Sequence, residues 1–403
     1  MTRSLSPASL VLMPLLLSLS AMPVRSAEAQ VNESKPKPRA RDLGVPFEGT
    51  PGKFNAITDV AGVEVGHATL IEGEGELVVG KGPVRTGVTV LFPRGKDRPF
   101  ERCFAAWHTL NGNGEMTGIA WVGDSGYLRG PVAVTNTHSV GVVRDALIDW
   151  HVKKGDKQAF HLPVVAETYD GTLSDINGFH VKPAHVFAAL DKARGGHVPE
   201  GNVGGGTGMI CYDFKGGIGT SSRVLAEEEG GYTVGVLVQA NYGSRPDLRV
   251  AGVPVGREVA DLRREIGRPD ELDLKPDRGS IIIFIATDAP LIPTHLERLC
   301  KRASLGLGRL GSIASDTSGD IFLAFSTANA TAISGAEAPA KIEVLPTERI
   351  TPLFRATIEA TEEAVVNAMV AAETMTGRDG NTLHALPHDR LRAALKKYGR
   401  LEE

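Results

Sequence analysis

Aromatic residues make up only 5% of the sequence, and its 403 residues include three cysteines, Cys103, Cys211 and Cys300. The cysteines are far apart and form no Cys-x-x-Cys pair, which argues against a structural zinc site or a dithiol redox centre. At most one disulfide could form, and the three read as buried structural thiols. No His-Glu-x-x-His run occurs among the eleven histidines. His384 and His388 are four apart, but Pro387 breaks a shared helical face, so no metal is expected. An excess of basic charge is also missing. Lys and Arg number 44 against 48 Asp and Glu, a net charge of −4, which excludes the electrostatic footprint of a nucleic-acid-binding protein.

Long apolar runs are scarce as well. The conspicuous one, LVLMPLLLSLSAM after Arg3, is shorter than the roughly 20 residues a membrane span needs. SAEAQ follows, with small residues at Ala27 and Ala29. The pattern is that of a secretory signal over residues 1–29, cleaved after Ala29, rather than a stable membrane anchor. NESKPKPRARD is polar and carries proline, so residues 30–43 read as a loose leader ahead of one domain, 44–403.

Glycine, by contrast, is abundant, with 47 residues marking tight turns and close backbone approaches. From about residue 55, short apolar runs alternate with these turns. ITDVAGVEVGHATL, TGVTVLFPR, TGIAWV and PVAVTNTHSVG read as strands, as do YTVGVLVQANYG, SIIIFIAT and DIFLAFSTAN. Helical spacing appears in residues 140–154 and 183–194, in THLERLCKRASLGLG, in LFRATIEATEEAVVNAMVAAETMT and in HDRLRAALKKYG. Residues 244–279 are rich in charge and proline without a sustained apolar period, which predicts an exposed connector open to proteolytic nicking. Strands and helices are interspersed throughout, and no internal repeat or low-complexity tract is present.

Two short motifs invite functional readings and fail them. GDSGY (123–127) looks like the nucleophile segment of trypsin-like proteases, but the long helices do not suit a double barrel, so a structural turn is expected. GNVGGGTGM (201–209) looks like a phosphate cradle, yet it has no Gly-Lys-Ser/Thr ending and no strand-loop-helix order. Glycines packed where backbones meet is the better account. DRGSIIIFIATDAPLIP (277–293) is different, because Gly279 and Ser280 stand directly before a strand. Ser280 could be a turn residue. If the Gly279–Ser280 bond were cut, however, Ser280 would carry an α-amine beside its own hydroxyl. An α-amine has a reference pKa near 7.7–8.0, so it could act as the hydroxyl's base at neutral pH. Spacing alone leaves both readings open.

Taken together, ITDVAGVEVGH, VRTGVTVLFPR, GNGEMTG, SGYLRGPVAVTNTHSVG, AETYDGTLSDINGFHV, GNVGGGTGM, VQANYG, GSIIIFIATDAPLIP and SDTSGDIFLAFSTAN resemble the DmpA/β-aminopeptidase family, in order, from about residue 44 to the C-terminus. The resemblance implies a single-domain α/β fold of the α+β kind, a four-layer αββα sandwich shared with the ornithine acetyltransferases. It implies a self-processed N-terminal-nucleophile hydrolase, cut between Gly279 and Ser280 into a large chain (30–279) and a small chain (280–403). Ser280 then matches the nucleophile and Asn241 the residue that holds the oxyanion. Tyr169 lines the centre, and Ser318 and Asp320 support the nucleophile and its amine. Some relatives have glutamate at the last of these positions, which puts the reach of Asp320 in question. Glu167 is the candidate for a substrate's free ammonium. The implied activity is an exported, periplasmic or secreted serine aminopeptidase acting on peptides, amides or esters with a free N-terminal amine. No cofactor is implied, and assembly into a homo-oligomer of processed two-chain protomers, a tetramer, is. An acyl transferase on the same fold and an uncut, non-catalytic scaffold are the alternatives.

Overall fold

Residues along the strand Ser280–Thr287 alternate strictly between two cores. Ile281, Ile283 and Ile285 lie in one, and Ile282, Phe284 and Ala286 in the other. Side chains of a strand point to opposite faces in turn, so a strand apolar on both faces must be covered on both. The computed structural model describes residues 1–2, 37–267, 279–334 and 339–403, and Pro38–Glu403 make one compact unit. The expected signal segment lies almost wholly outside the described residues.

Elements are numbered in chain order. The large mixed sheet contains β3 (Arg102–Gly112), β4 (Tyr127–Arg129), β9 (Gly217–Val224), β10 (Thr233–Asn241), β11 (Ser280–Thr287) and β12 (Gly319–Ser326), in the order β4-β3-β12-β11-β10-β9. The small sheet contains β1 (Glu64–Glu72), β2 (Val84–Phe92), β5 (Val132–Asn136) and β6 (Val165–Thr168), in the order β1-β2-β5-β6. Between β6 and β9 lies a short hairpin, β7 (Ile210–Cys211) and β8 (Phe214–Lys215). The helices are α1 (Ile119–Ser125), α2 (Val140–Lys153), α3 (Pro183–Lys192), α4 (Val255–Glu258), α5 (Pro293–Arg309), α6 (Ala330–Ile333), α7 (Thr351–Val370) and α8 (His388–Lys397).

One core, including Leu91, Val134, Leu237, Phe284 and Leu323, joins the inner faces of the two sheets. A second packs α5 and α7 on the outer face of the large sheet, and a third packs α2 and α3 on the outer face of the small one. The result is the αββα sandwich implied by the resemblance. GNVGGGTGM serves this packing: a Cβ on Gly205 would collide with Gln239 of β10 and crowd Val134 of β5. The glycines are there because two sheets meet over them.

Four local expectations need correction or completion. TGIAWV, expected as a strand, forms the start of α1, with Val122 buried and Trp121 exposed. So short an apolar run carries no period that separates helix from strand. Residues 244–262 are not an exposed connector. Leu248, Val250, Val253, Val255 and Val259 enter the helix-side core, and Arg245 satisfies the irregular backbone by donating to the carbonyls of Tyr212, Asp213, Val259 and Leu262. Its guanidinium also lies 3.5 Å above the Phe214 ring. Charge and proline in this stretch masked a core segment with neither helical nor strand period; residues 268–278 lie outside the described residues. The three cysteines are free and buried, and burial pushes the Cys103 thiol up to about 12.

Residues 38–43, expected within the loose leader, are packed. Ala40 is fully buried, and Arg41 grips both carboxylate oxygens of Glu363 on α7, at 2.8 and 2.9 Å. Arg223 of β9 adds a third bond to Glu363 at 2.8 Å. Burial opposes the charge on Glu363, but Arg223 and Arg41 outweigh it and hold the carboxyl below its ordinary 4.5. Removing one partner of such a pair leaves buried charge uncompensated. Glu363→Ala is therefore expected to cost about 3–5 kcal/mol in urea unfolding. Because the folded-state pKa is depressed, this stabilisation is present above the unfolded value and fades as pH falls through the folded one. The gap between Glu363→Gln and the unmutated protein should accordingly narrow in acid.

Candidate active site

The side-chain parity that buries Ile282 and Leu237 between the sheets also sends Ser280 and Asn241 to that face. They are direct partners in the antiparallel β10–β11 register. Ser280 is the first residue of β11 and only 7% exposed. Its Oγ accepts a hydrogen bond from the Gly319 amide at 3.1 Å. Directly before it, Gly279 has φ +129°, and a Cβ there would run into the Asn241 carbonyl. Only glycine fits, and the peptide bond entering Ser280 is held in a backbone shape that L-residues avoid.

Asn241 is fixed at both ends of its amide. Oδ1 accepts the Ile210 amide at 2.7 Å, and Nδ2 donates to the Tyr169 carbonyl at 3.1 Å. The amide carries a second Nδ2 hydrogen, on the residue paired with Ser280. At the start of β12, the Oγ of Ser318, one residue before the strand, donates to Asp320 Oδ1 at 2.5 Å, and the same carboxylate oxygen accepts the Ile281 amide at 3.2 Å. A register shift between Asp320 and Ile321 brings this carboxylate to the backbone beside the nucleophile candidate. Aspartate therefore reaches the Ser280 neighbourhood without the longer glutamate side chain.

Glu167 and Tyr169 come from the opposite sheet, at and just past the end of β6. Tyr169 is half-buried. Glu167 is 4% exposed; its Oε1 accepts the Glu115 amide at 3.0 Å and its Oε2 accepts the Thr137 hydroxyl at 2.5 Å. Burial raises its pKa, and those two donors pull it back. A Cβ on Gly114 would lie 3.2 Å from both Glu167 Oε1 and the Gly319 Cα, so the carboxylate faces the strand that bonds Ser280 across one glycine. No cation is ion-paired to Glu167 among the described residues. The six residues singled out from the sequence thus gather where the end of β6, the end of β10 and the starts of β11 and β12 come together. What the sequence did not reveal are the backbone donors, Gly319, Ile210 and Glu115, and the side-chain donor Thr137. Any residue type but proline can provide an amide N–H, so no sequence signal marks the first three; Thr137 stands in the quoted VAVTNTHSVG segment but nothing there distinguishes it.

The rejected motifs are accounted for. In GDSGY, the Ser125 hydroxyl caps the Trp121 carbonyl and Gly126 ends α1 with φ +72°. His384 bonds to Glu265, and His388 bonds to the Val370 carbonyl. His151, Asp156 and His161 come within 4.8 Å of one another, but Arg129 holds both oxygens of Asp156, which disfavours a cation there.

A serine at the head of a central strand, an asparagine paired with it and a carboxylate from the opposite sheet, on an αββα sandwich, match the arrangement implied by the resemblance to the DmpA/β-aminopeptidase family. Residues 55–383 match the model of peptidase family S58, and the chain belongs to that family. It is 55% identical over 370 residues to a β-peptidyl aminopeptidase, BapA, of Sphingosinicella microcystinivorans, covering 90% of this chain and 93% of the relative. It is 52% identical to the enzyme of the same name from Sphingosinicella xenopeptidilytica, covering 89% and 91%. Among solved structures, the L-aminopeptidase D-Ala-esterase/amidase of Ochrobactrum anthropi, described as a variant of the Ntn-hydrolase fold, superposes with a TM-score of 0.83 at 49% identity, covering 91% of this chain and all of that one. A Burkholderia sp. β-aminopeptidase gives 0.80 at 49%, covering 90% and 99%. The protein is a serine-type aminopeptidase.

Proposed function

We propose that the chain cuts itself between Gly279 and Ser280 and then uses Ser280 Oγ to hydrolyse N-terminal residues from peptides, amides or esters. The observation that carries this reading is the Gly279–Ser280 junction itself: a positive-φ glycine that tolerates no side chain, followed by a buried serine bonded to Gly319. In the uncut chain Ser280 has no amine, and its proton passes by way of Ser318 toward Asp320, or to water. Oγ attacks the Gly279 carbonyl, the resulting ester is hydrolysed, and the new α-amine becomes the base for later turnovers. A substrate's ammonium pairs with Glu167, which sets its carbonyl against Ser280, while Asn241 stabilises the oxyanion. The acyl-enzyme is then released by water.

The relatives' names make N-terminal β-amino acids the first substrate class to test, beside α-amino acid amides. The sequence pattern of residues 1–29 supports export, to the periplasm in a Gram-negative host. We also infer assembly into a tetramer of two-chain protomers. Among the described residues no helix is long and apolar enough to cross a membrane.

Mass-spectrometric sequencing of the purified protein tests the reading directly. A small chain beginning Ser-Ile-Ile-Ile is the expected result. An active enzyme in which one chain still spans Gly279 and Ser280 would remove the N-terminal-nucleophile mechanism.

A further inference from the structure

The mechanism above leaves one acidic group beside the site unused. Asp170 follows Tyr169 and is 1% exposed. Its Oδ2 accepts the Asn136 side-chain amide at 3.0 Å, and the same nitrogen donates to Thr86 Oγ1 at 2.9 Å. Asp170 Oδ1 and Asn136 Oδ1, both buried, have no hydrogen-bond partner among the described residues. A carboxylate in such a place loses its hydration without gaining a cation, which favours the neutral acid. A proton there also turns one surplus acceptor into a donor.

Both ends of this contact adjoin the substrate site. Asn136 precedes Thr137, which holds Glu167, and it is paired with Thr168 in the parallel β5–β6 register. The charged neighbours are few and otherwise engaged. Glu167 stands three residues before Asp170 and repels its ionisation. Arg378, from the turn after α7, donates to the Gly171 carbonyl and pairs with Asp379. Arg85 of β2 turns to the carbonyls of Glu72, Gly73, Val84 and Thr376. Lys215 of β8 bonds the carbonyls of Gly206, Met209 and Gly216. Asp175 is paired with His180. Among the described residues none of these cations forms an ion pair with Asp170.

We propose that Asp170 is a positioning residue that holds a proton while Glu167 is unoccupied and releases it to solvent when a substrate's ammonium binds to Glu167. Amine binding is then coupled to the loss of one proton from a residue that the amine does not touch. The inference rests on Glu167 being the ammonium site. Burial, with the Glu167 charge adding to it, raises Asp170 to about 7 in the free enzyme, against hydrogen bonds from Thr86 and Asn136 that pull it down. An ammonium on Glu167 cancels the repulsion and lowers that pKa. Between the bound and free values, binding expels a proton, so affinity rises with pH; above about 7 it levels off.

The test is inhibition of the processed enzyme by n-butylamine, whose ammonium, like that of lysine, stays charged well above pH 8. Its inhibition constant should tighten by about three- to tenfold from about pH 6 to about pH 8 in the unmutated enzyme. The Ser280 amine adds its own pH dependence to every variant, so the comparison with Asp170→Asn decides: that variant should lose most of the rise. An equal rise in both overturns the coupling and leaves the Glu167 site standing. Glu167→Gln should bind n-butylamine more weakly at every pH. Binding as tight as in the unmutated enzyme would overturn the Glu167 reading and this inference together. If Asp170→Asn fails to fold, Thr86→Val serves instead. Removing a donor to the carboxylate should move the rise to higher pH, and an unmoved profile counts against the proposal.

Discussion

Ser280→Ala should accumulate as a single uncut chain and lose turnover by on the order of 10⁶-fold, the scale seen when a serine nucleophile is removed. One oxygen accounts for both losses. In the proposed mechanism it attacks the Gly279 carbonyl once during maturation and a substrate carbonyl in every later cycle. Folding should survive, because Ser280 Oγ accepts a bond from Gly319 whose loss leaves one buried amide unpaired, a cost of about 1–3 kcal/mol. Ser280→Cys separates the two roles. A thiol is intrinsically more nucleophilic, so the variant should still cut itself in part while turning over poorly. Denaturing gels and a p-nitroanilide assay read both outcomes. A cut or active Ser280→Ala protein would return Ser280 to an ordinary strand-opening residue.

Asn241→Ala should lower kcat by about 100- to 1,000-fold with a smaller change in KM, as removal of a single oxyanion donor does. The donor is already aimed before substrate arrives, since the Ile210 amide and the Tyr169 carbonyl fix the side-chain amide at 2.7 and 3.1 Å. Truncation also strands the Ile210 amide, so urea unfolding should show a loss of about 1–3 kcal/mol. The two effects are separable. A variant with that stability loss but near-normal kcat would make Asn241 a brace for the β7 hairpin and nothing more. Because Asn241 and Ser280 are paired in one register, self-cleavage should slow in the same variant.

Much of the architecture was legible from short-range pattern. SIIIFIAT alternates between two apolar faces, so it had to be covered on both sides, and the helical spacing of residues 140–154 and 183–194 predicted α2 and α3 to within two residues. The misreadings share one cause. TGIAWV and residues 244–262 are partly buried stretches whose core residues follow no period, because their partners lie in other elements. Arg245 shows the point: its charge looks exposed in sequence, yet it is buried to saturate coil carbonyls.

At the site, the residue types were visible but their company was not. A Gly-Ser pair before a strand, an asparagine ending another and an Asp two residues after a serine are each commonplace, and only the ordered resemblance across the chain gave them a shared purpose. The sequence by itself determined most of the strands and helices and their order, through apolar runs and helical spacing, and the resemblance implied their αββα layering. It also determined that a glycine stands before Ser280. Only the tertiary structure decided that Gly319, 39 residues further on, bonds the Ser280 hydroxyl, that Tyr169 and Ile210 hold Asn241 from two sides, and that Asp170 lies buried with no ion pair among the described residues. Those contacts depend on strand order, register and one bulge at Asp320, which arise from the packing of distant segments and leave no mark on any local stretch of residues.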